Sequence, residues 1–340
     1  MWKFVDETNR DIYESFVENH PRSNFLQSMH WADFKGGGRG IISLDGEGNV
    51  RGAMLVLPQR APMGMGTFLY SPRGPVCDAD KDAIADLSEG ARAYAEEIGA
   101  YMFSADPDTT DEAFASMMED CGFKRDLKSA DTGILQPLSV FRINIGGMSD
   151  EELIMSFHSK ARYSVRASVK SGAICRIGDK SDLPAFQKLL CETAKRDDFT
   201  PRSLAYFERM FDILPEDMRK LFVVEVDGEA IAGSVLIKYG NKTWHLYGAS
   251  DSIHTKELPN FLMQWEMMRW TIAQGCEIYD MRGVAGEKDK TKPLEGLMRF
   301  KKRFGGELIT FVGRLDAVYD PKKKSFIDTC AKIKRTLLRR

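Results

Sequence analysis

The sequence predicts a mixed α/β (α+β) protein made of two tandem copies of one unit. Three observations point there. A strand, tight turn and strand signature occurs twice, a helix of matching apolar spacing follows each copy, and 340 residues exceed what one hydrophobic core usually organises.

The first copy of the signature is Asp45 to Leu57 (DGEGNVRGAMLVL) and the second is Asp227 to Lys238 (DGEAIAGSVLIK). In each an Asp-Gly pair marks a turn between strand-like runs. A further strand follows each, Thr67-Phe-Leu-Tyr-Ser in one half and Thr243 to Ser250 (TWHLYGAS) in the other. Apolar residues then recur at three- and four-residue spacing from Ala83 to Ile98 and from Pro259 to Ala273, which predicts two helices. Each helix runs into a strand, Ala100 to Ala105 and Glu277 to Met281, then another helix, then Gly122-Phe123 or Phe304-Gly305. This order of elements is that of the acyltransferase fold of the GNAT type. Between the copies, Ser149 and Glu152 have the spacing of a capping box at a helix start, which puts the domain boundary near residue 145. The last stretch, Pro321 to Arg340, sets Phe326, Ile327, Cys330, Ile333 and Leu337 on one helical face and most of its cations on the other. It reads as a terminal helix packed on the body.

Composition removes several classes. With 43% hydrophobic and 29% charged residues the chain is globular, and a net charge of -2 confines any nucleic-acid contact to local patches. The six cysteines form no CxxC pair, so neither a zinc knuckle nor a disulfide framework is expected. The five histidines are scattered, and even His245 and His254 lack a ligand spacing to a cysteine or carboxylate cluster. No metal site is expected, and no GxSxG elbow occurs. The start has no apolar secretion-signal core and no stretch is long enough to span a bilayer. The expectation is a cytoplasmic protein, at most peripheral to the inner face of the membrane.

One string, Asn24 to Lys35 (NFLQSMHWADFK), resembles the opening motif of the Fem family of peptidoglycan cross-bridge aminoacyltransferases. Four further segments resemble the same family in the same order: Leu69 to Pro75, His158 to Ala167, Leu246 to Ser250, and Leu294 to Gly305. The resemblance implies two tandem GNAT-like domains, residues 1–145 with the C-terminal end, 315–340, returning to the first, and residues 146–314. Some members insert a long coiled-coil arm in the second domain. Here the distance from residue 146 to Phe300-Lys301 leaves no room for one, so the chain resembles the armless, FemX-like branch.

The activity implied is transfer of an amino acid (Gly, Ala or Ser) from aminoacyl-tRNA to the stem-peptide amine of a peptidoglycan precursor, either UDP-linked muramyl pentapeptide or lipid II. The donor ester is already activated, so no cofactor is required. The protein must anchor two anionic substrates, align amine and ester, manage a proton and stabilise an oxyanion. By resemblance, Lys35 and Arg202 bind acceptor phosphates. Tyr206, four residues after Arg202, shares a helical face with it, and Tyr247, Tyr101 and Arg73 line the acceptor site. Each has a plainer reading, solvated charge for the cations and core packing for the tyrosines. Asp106, ahead of Pro107, is placed to take or orient the amine proton, or is simply a turn carboxylate. Phe300, Lys301, Lys302 and Arg303 combine aromatic and basic character suited to an RNA end, and Lys301 is placed to face the oxyanion. Lys160, Arg162, Arg166 and Lys170 recur at helical spacing and either guide phosphates or form a solvated face. The cationic C-terminal helix is compatible with peripheral membrane contact, and a monomer is expected.

Two rivals remain. An acetyl-CoA-dependent GNAT N-acyltransferase shares the fold unit, but no Gln/Arg-x-x-Gly-x-Gly/Ala loop follows Arg73 or Tyr247. A noncatalytic precursor- or RNA-binding relative would be expected to have lost anchor residues, whereas Lys35, Arg202, Tyr206, Tyr247 and Lys301 are all present.

Overall fold

The computed structural model describes residues 1–126, 136–284 and 292–338, except the side chains of 292–294, 332 and 335–338. The chain divides into two compact units, residues 1–138 with 310–340, and residues 139–309.

The first unit contains, in chain order, β1 (Trp2–Phe4), α1 (Arg10–Asn19), α2 (Met29–Lys35), β2 (Arg39–Leu44), β3 (Val50–Arg60), β4 (Thr67–Ser71), β5 (Val76–Cys77), α3 (Lys81–Ile98), β6 (Met102–Ala105), α4 (Glu112–Asp120) and β7 (Lys124–Asp126). The second contains β8 (Ser139–Asn144), α5 (Asp150–Ser156), α6 (Ser159–Lys170), β9 (Ile174–Gly178), α7 (Leu183–Asp197), α8 (Leu204–Ile213), β10 (Arg219–Val226), β11 (Glu229–Tyr239), β12 (Lys242–Ser250), α9 (Pro259–Ala273), β13 (Ile278–Gly283), α10 (Lys292–Lys302) and β14 (Glu307–Thr310). The chain then returns to the first unit with β15 (Arg314–Val318) and α11 (Pro321–Leu338).

The two sheets have the same plan. The first runs β1-β2-β3-β4-β6-β15-β7, with β5 paired to β3, and the second runs β9-β10-β11-β12-β13-β8-β14. Antiparallel hairpins give way to one parallel pair in each, β4 with β6 and β12 with β13. The helix between each parallel pair, α3 or α9, is the crossover that parallel strands require. The turn at Asp227 and Gly228 takes positive φ at both residues, 52° and 80°, as a two-residue hairpin demands.

One strand in each sheet is exchanged between the halves of the sequence. β8, which follows the first copy in the chain, pairs with β13 of the second unit. β15, which follows the second copy, sits between β6 and β7 of the first. The division between units therefore falls ahead of β8 rather than near residue 145, because β8 is tied by its ladder to the second sheet. Just beyond it, Ser149 and Glu152 form the reciprocal capping box at the start of α5.

Apolar burial follows the amphipathic patterns. In the first unit α3 buries Ala83, Ile84, Leu87, Ala91 and Ala95 on a core that includes Ile41, Met54, Val56 and Phe103. In the second, Phe157, Phe261, Met267, Tyr279 and Phe304 share one core. α11 departs from the expected face. Ile327 is buried with Phe68, Tyr70 and Tyr101, but Phe326 and Ile333 are exposed, and the Leu337 side chain lies outside the described residues. Among the described residues no long coiled-coil arm interrupts the second unit, and no helix is long and apolar enough to cross a membrane.

Candidate functional site

In the first unit the parallel ladder of β4 with β6 runs to the ends of both strands, Ser71 opposite Ala105. In the second, β12 and β13 pair only from Lys242 to Trp244 and from Ile278 to Asp280, although β12 continues to Ser250 and β13 to Gly283. From His245 and Met281 onward neither strand is in the other's ladder. A β-bulge at Leu246 adds to the departure of β12, since Val235 faces Tyr247 while Leu236 faces His245.

The free end of β13 is organised around Lys301. This side chain, on α10, is buried, and its Nζ donates to the carbonyl oxygens of Met281 (2.5 Å), Arg282 (3.3 Å) and Gly283 (2.7 Å). Three successive carbonyls converge because Arg282 takes a φ of 64° while its N–H is held by Asp280 Oδ1 at 2.6 Å. Asp280 Oδ2 in turn accepts from Arg142 of β8 at 2.9 Å. Burial pushes the Lys301 ammonium down to about 8, against the pull of Asp280 and with a further push from Arg282.

On β12, His245 is held in a relay. Tyr279 donates to Gln264 Oε1 at 2.7 Å, and Gln264 Nε2 lies 3.2 Å from His245 Nδ1. With Gln264 fixed this way, Nδ1 accepts and the proton resides on Nε2. That nitrogen is buried and has no hydrogen-bond partner among the described residues. Burial, and secondarily the Lys301 charge, depress its pKa to about 3, so the ring is neutral at physiological pH. Sequence reasoning weighed His245 only as a metal ligand. Its position two residues before Tyr247 was the available signal.

Tyr247, Tyr206 and Arg202 come together. The two phenolic oxygens are 3.0 Å apart, the Arg202 guanidinium lies 5.2 Å from the Tyr206 ring centroid, and buried Phe207 meets the Tyr247 ring edge-on at 5.1 Å. Burial and the neighbouring Tyr247 push the Tyr206 phenol well above its usual range. The expected shared helical face needs correction, because Arg202 precedes the N-cap Ser203 of α8 and reaches Tyr206 from outside the helix.

In the first unit Lys35 ends α2, capped by Gly36 in the left-handed region. Its Nζ lies 5.7 Å from the Trp31 ring and 5.8 Å from that of Phe34. The rest of the opening motif is structural. Buried Gln27 accepts from Leu55 N at 2.8 Å and donates to Ser71 Oγ and the Pro72 carbonyl, while Asn24 donates to Asp108.

Of the remaining expected site residues, Asp106, Arg73, Tyr101 and Phe300 are held in packing. Asp106 is buried with both oxygens engaged, Oδ2 by Tyr70 (2.7 Å) and Gln136 N (3.3 Å), Oδ1 by Arg73 N (2.8 Å). Burial raises its pKa against those donors and the Arg73 charge. Arg73 is itself buried, donates to the Pro137 carbonyl at 2.5 Å and stacks 4.1 Å from the Phe311 centroid. Tyr101 belongs to the small core around Ile327. Phe300 packs on Phe261 and Phe304 at 5.2 and 5.1 Å, leaving Lys302 exposed and Arg303 partly so. Among the described residues no group of three metal-ligating side chains occurs.

Comparison with known proteins decides the family. The model of the FemAB family matches residues 8–230 and 223–332. The chain belongs to the FemAB family. Its FemAB relatives include the lipid II:glycine glycyltransferase of Staphylococcus aureus (strain USA300), 27% identical over 411 aligned positions that cover 96% of this chain and 97% of that one. The alignment is longer than this chain, so that relative carries segments absent here. The enzyme of the same name from Staphylococcus epidermidis is 27% identical, with 90% of each chain covered. Among solved structures, FemX superposes with a TM-score of 0.88 at 26% identity, covering 96% of this chain and 99% of that one. A tandem GNAT protein from the clavulanic acid pathway, at 0.56 and 12% identity, shares the fold, in agreement with the duplicated unit read from the sequence.

Proposed function

We propose that this protein is a tRNA-dependent aminoacyltransferase that adds one amino acid, Gly, Ala or Ser, to the stem-peptide amine of a peptidoglycan precursor. The observation that carries the reading is the parting of β12 from β13 in the second unit beside Lys301 and Tyr247, which the first unit lacks. Strands that leave each other's ladder expose backbone donors and acceptors, and a substrate can satisfy them. The full-length likeness to lipid II:glycine glycyltransferases favours a lipid-linked acceptor and glycine as the donor residue.

In this reading the acceptor amine attacks the ester carbonyl of aminoacyl-tRNA, the amide bond forms, and the tRNA ribose oxygen leaves and takes up a proton. Lys301 supplies positive charge beside the developing oxyanion, already oriented by three carbonyls and so needing little reorganisation. Lys302 and Arg303 hold phosphates of the RNA end. Arg202, with Tyr206 and Tyr247, grips the acceptor in the second unit, and Lys35 is a phosphate-binding residue of the first unit taken by itself. Asp106 acts through the loop it holds, since a carboxylate engaged by three protein donors is a poor proton acceptor.

The test is mass spectrometry of lipid II and of UDP-linked muramyl pentapeptide after incubation with the protein and tRNA charged with mixed amino acids. A gain of one residue on either acceptor is expected. No gain on both, together with acetylation of an amine from acetyl-CoA, would replace this reading.

A further inference from the structure

The carbonyls that hold Lys301 are freed by a bulge in β13. On one side β13 leaves the ladder of β12 after Asp280, which faces Trp244. On the other, its register with β8 steps from Asp280 opposite Arg142 to Gly283 opposite Val140, three residues against two. The extra residue and the positive φ of Arg282 bring the Met281, Arg282 and Gly283 carbonyls onto Lys301. An arginine has no steric preference for the left-handed region. Asp280 holds it there, because its Oδ1 accepts from the Arg282 N–H two residues on, at 2.6 Å. The Asp280 side chain is buried, and its other oxygen accepts from Arg142 Nε at 2.9 Å.

We propose that Asp280, braced by Arg142, is a positioning residue for Lys301: it fixes the bulge whose carbonyls aim the ammonium, and it supplies the negative charge that offsets burial of that ammonium. An ammonium carries three N–H groups. Lys301 gives two at short range, to Met281 at 2.5 Å and Gly283 at 2.7 Å, whereas the contact to Arg282, at 3.3 Å, lies just past the ordinary range. The third N–H is therefore the one a substrate oxygen can take, while the two short bonds keep the group in place. Slackening the bulge would disturb all three. The charge is governed from the same turn. Among the described residues, Asp280 favours the ammonium, Arg282 opposes it, and His245 of β12, which feels the Lys301 charge, is itself neutral at physiological pH. Arg142 of β8 acts on Lys301 through the carboxylate it holds. A buried ion pair adds little net stability. Its consequence here falls on the side chain that the turn holds. The inference rests on the transferase reading for what Lys301 does, and not for the hold of Asp280 on it.

Removing one partner of the pair would strand a buried charge, so the test replaces both, Arg142→Gln with Asp280→Asn, which keeps polar side chains and removes the field of the carboxylate. Two readouts are taken on the full-length protein. Nuclear magnetic resonance of isotope-labelled lysine, with the Lys301 signal assigned by its loss in Lys301→Met, follows the titration of Lys301 with no substrate present. Single-turnover and steady-state transfer give the rate, its pH profile and the acceptor KM. In the double variant Lys301 should titrate lower than in the parent by about one pH unit or more, and the alkaline limb of the rate should move down with it. The rate should fall by roughly 10- to 100-fold while the acceptor KM stays within about twofold. A rate loss with the titration and the limb unmoved makes the pair a structural element and overturns the proposal, as does a variant equal to the parent. Arg282→Gln gives an independent check if the pair proves necessary for folding. It removes the opposing charge and leaves the carboxylate, so titration and limb should both move upward, and a downward shift or none overturns the proposal. The expected shifts in titration without any aminoacyl transfer by the parent protein would sink the transferase reading and leave the hold of Asp280 on Lys301 standing.

Discussion

The phenolic oxygens of Tyr206 and Tyr247 lie 3.0 Å apart, linking α8 to the part of β12 that has left its parallel neighbour. Because burial keeps the Tyr206 phenol protonated, the two hydroxyls are joined by a hydrogen bond in which either can donate. Replacing Tyr247 by Phe removes one of these two hydroxyls and its contact with Tyr206. The expected result is a rise of about 2- to 10-fold in KM for the acceptor with kcat little changed, read from steady-state transfer.

Lys301→Met takes the only described side-chain donor from three carbonyls and removes the charge assigned to the oxyanion. Transfer should fall by on the order of 100- to 1000-fold while acceptor affinity holds, as measured by single-turnover kinetics and calorimetric titration. Equal losses in both would make Lys301 a general structural element instead.

The same lysine gives a pH signature. Its ammonium loses a proton near pH 8 in the folded chain and near 10.5 when unfolded. Below about pH 8 both states are protonated and the cost of burying the charge is fully present. Between 8 and 10.5 the unfolded chain binds the extra proton, so stability rises with pH, by roughly 3 kcal/mol across the window. The difference in unfolding free energy between the parent and Lys301→Met, followed by urea titration from pH 7 to 10, should show that rise. The single-turnover rate should fall above about pH 8 as the charge is lost.

Asp106→Asn leaves the shape but sets an amide N–H₂ against backbone or phenolic donors. A stability loss of about 1–3 kcal/mol is expected, with transfer reduced less than tenfold at a temperature where the variant is folded. A loss of on the order of 100-fold or more with unchanged stability would restore Asp106 as the proton acceptor.

Gly306→Ala should be severe. Gly306 has a φ of 86°, and a Cβ there would meet the Arg142 carbonyl at 2.3 Å. The clash falls where β14 joins β8, so the thermal midpoint should drop by several degrees or more. A variant as stable as the parent would show that this edge yields easily.

What could be read in advance was local. The Asp227–Gly228 hairpin, the Ser149–Glu152 cap and α9 over Pro259–Ala273 are written in turn, capping and periodic residues close together in the chain. Arg202 and Tyr247 were read from the family resemblance and Tyr206 from its four-residue spacing to Arg202, but the arginine lies outside that helix. Less legible was anything set by distant pairing or backbone direction. Nothing around Lys301 announces a cradle, since it depends on one positive φ at Arg282. Tyr101 and Arg73 were read as acceptor-site residues by resemblance, and the structure places Tyr101 in the small core around Ile327 and buried Arg73 against the Phe311 ring. The placement of β8 was missed because a strand's partner across 138 residues, as in Arg142 with Asp280, leaves no short-range mark.

The exchanged strands set the order in which a ribosome can deliver a finished fold. The second unit is one continuous stretch and has every strand of its sheet once β14 has emerged. The first unit, though translated first, lacks the strand between β6 and β7 until Arg314–Val318 is made. Its sheet must wait with β6 unpaired on one side, an exposed edge of the kind that invites wrong partners. The N-terminal half of this chain is therefore the last to be completed, and late arrest of synthesis harms it first.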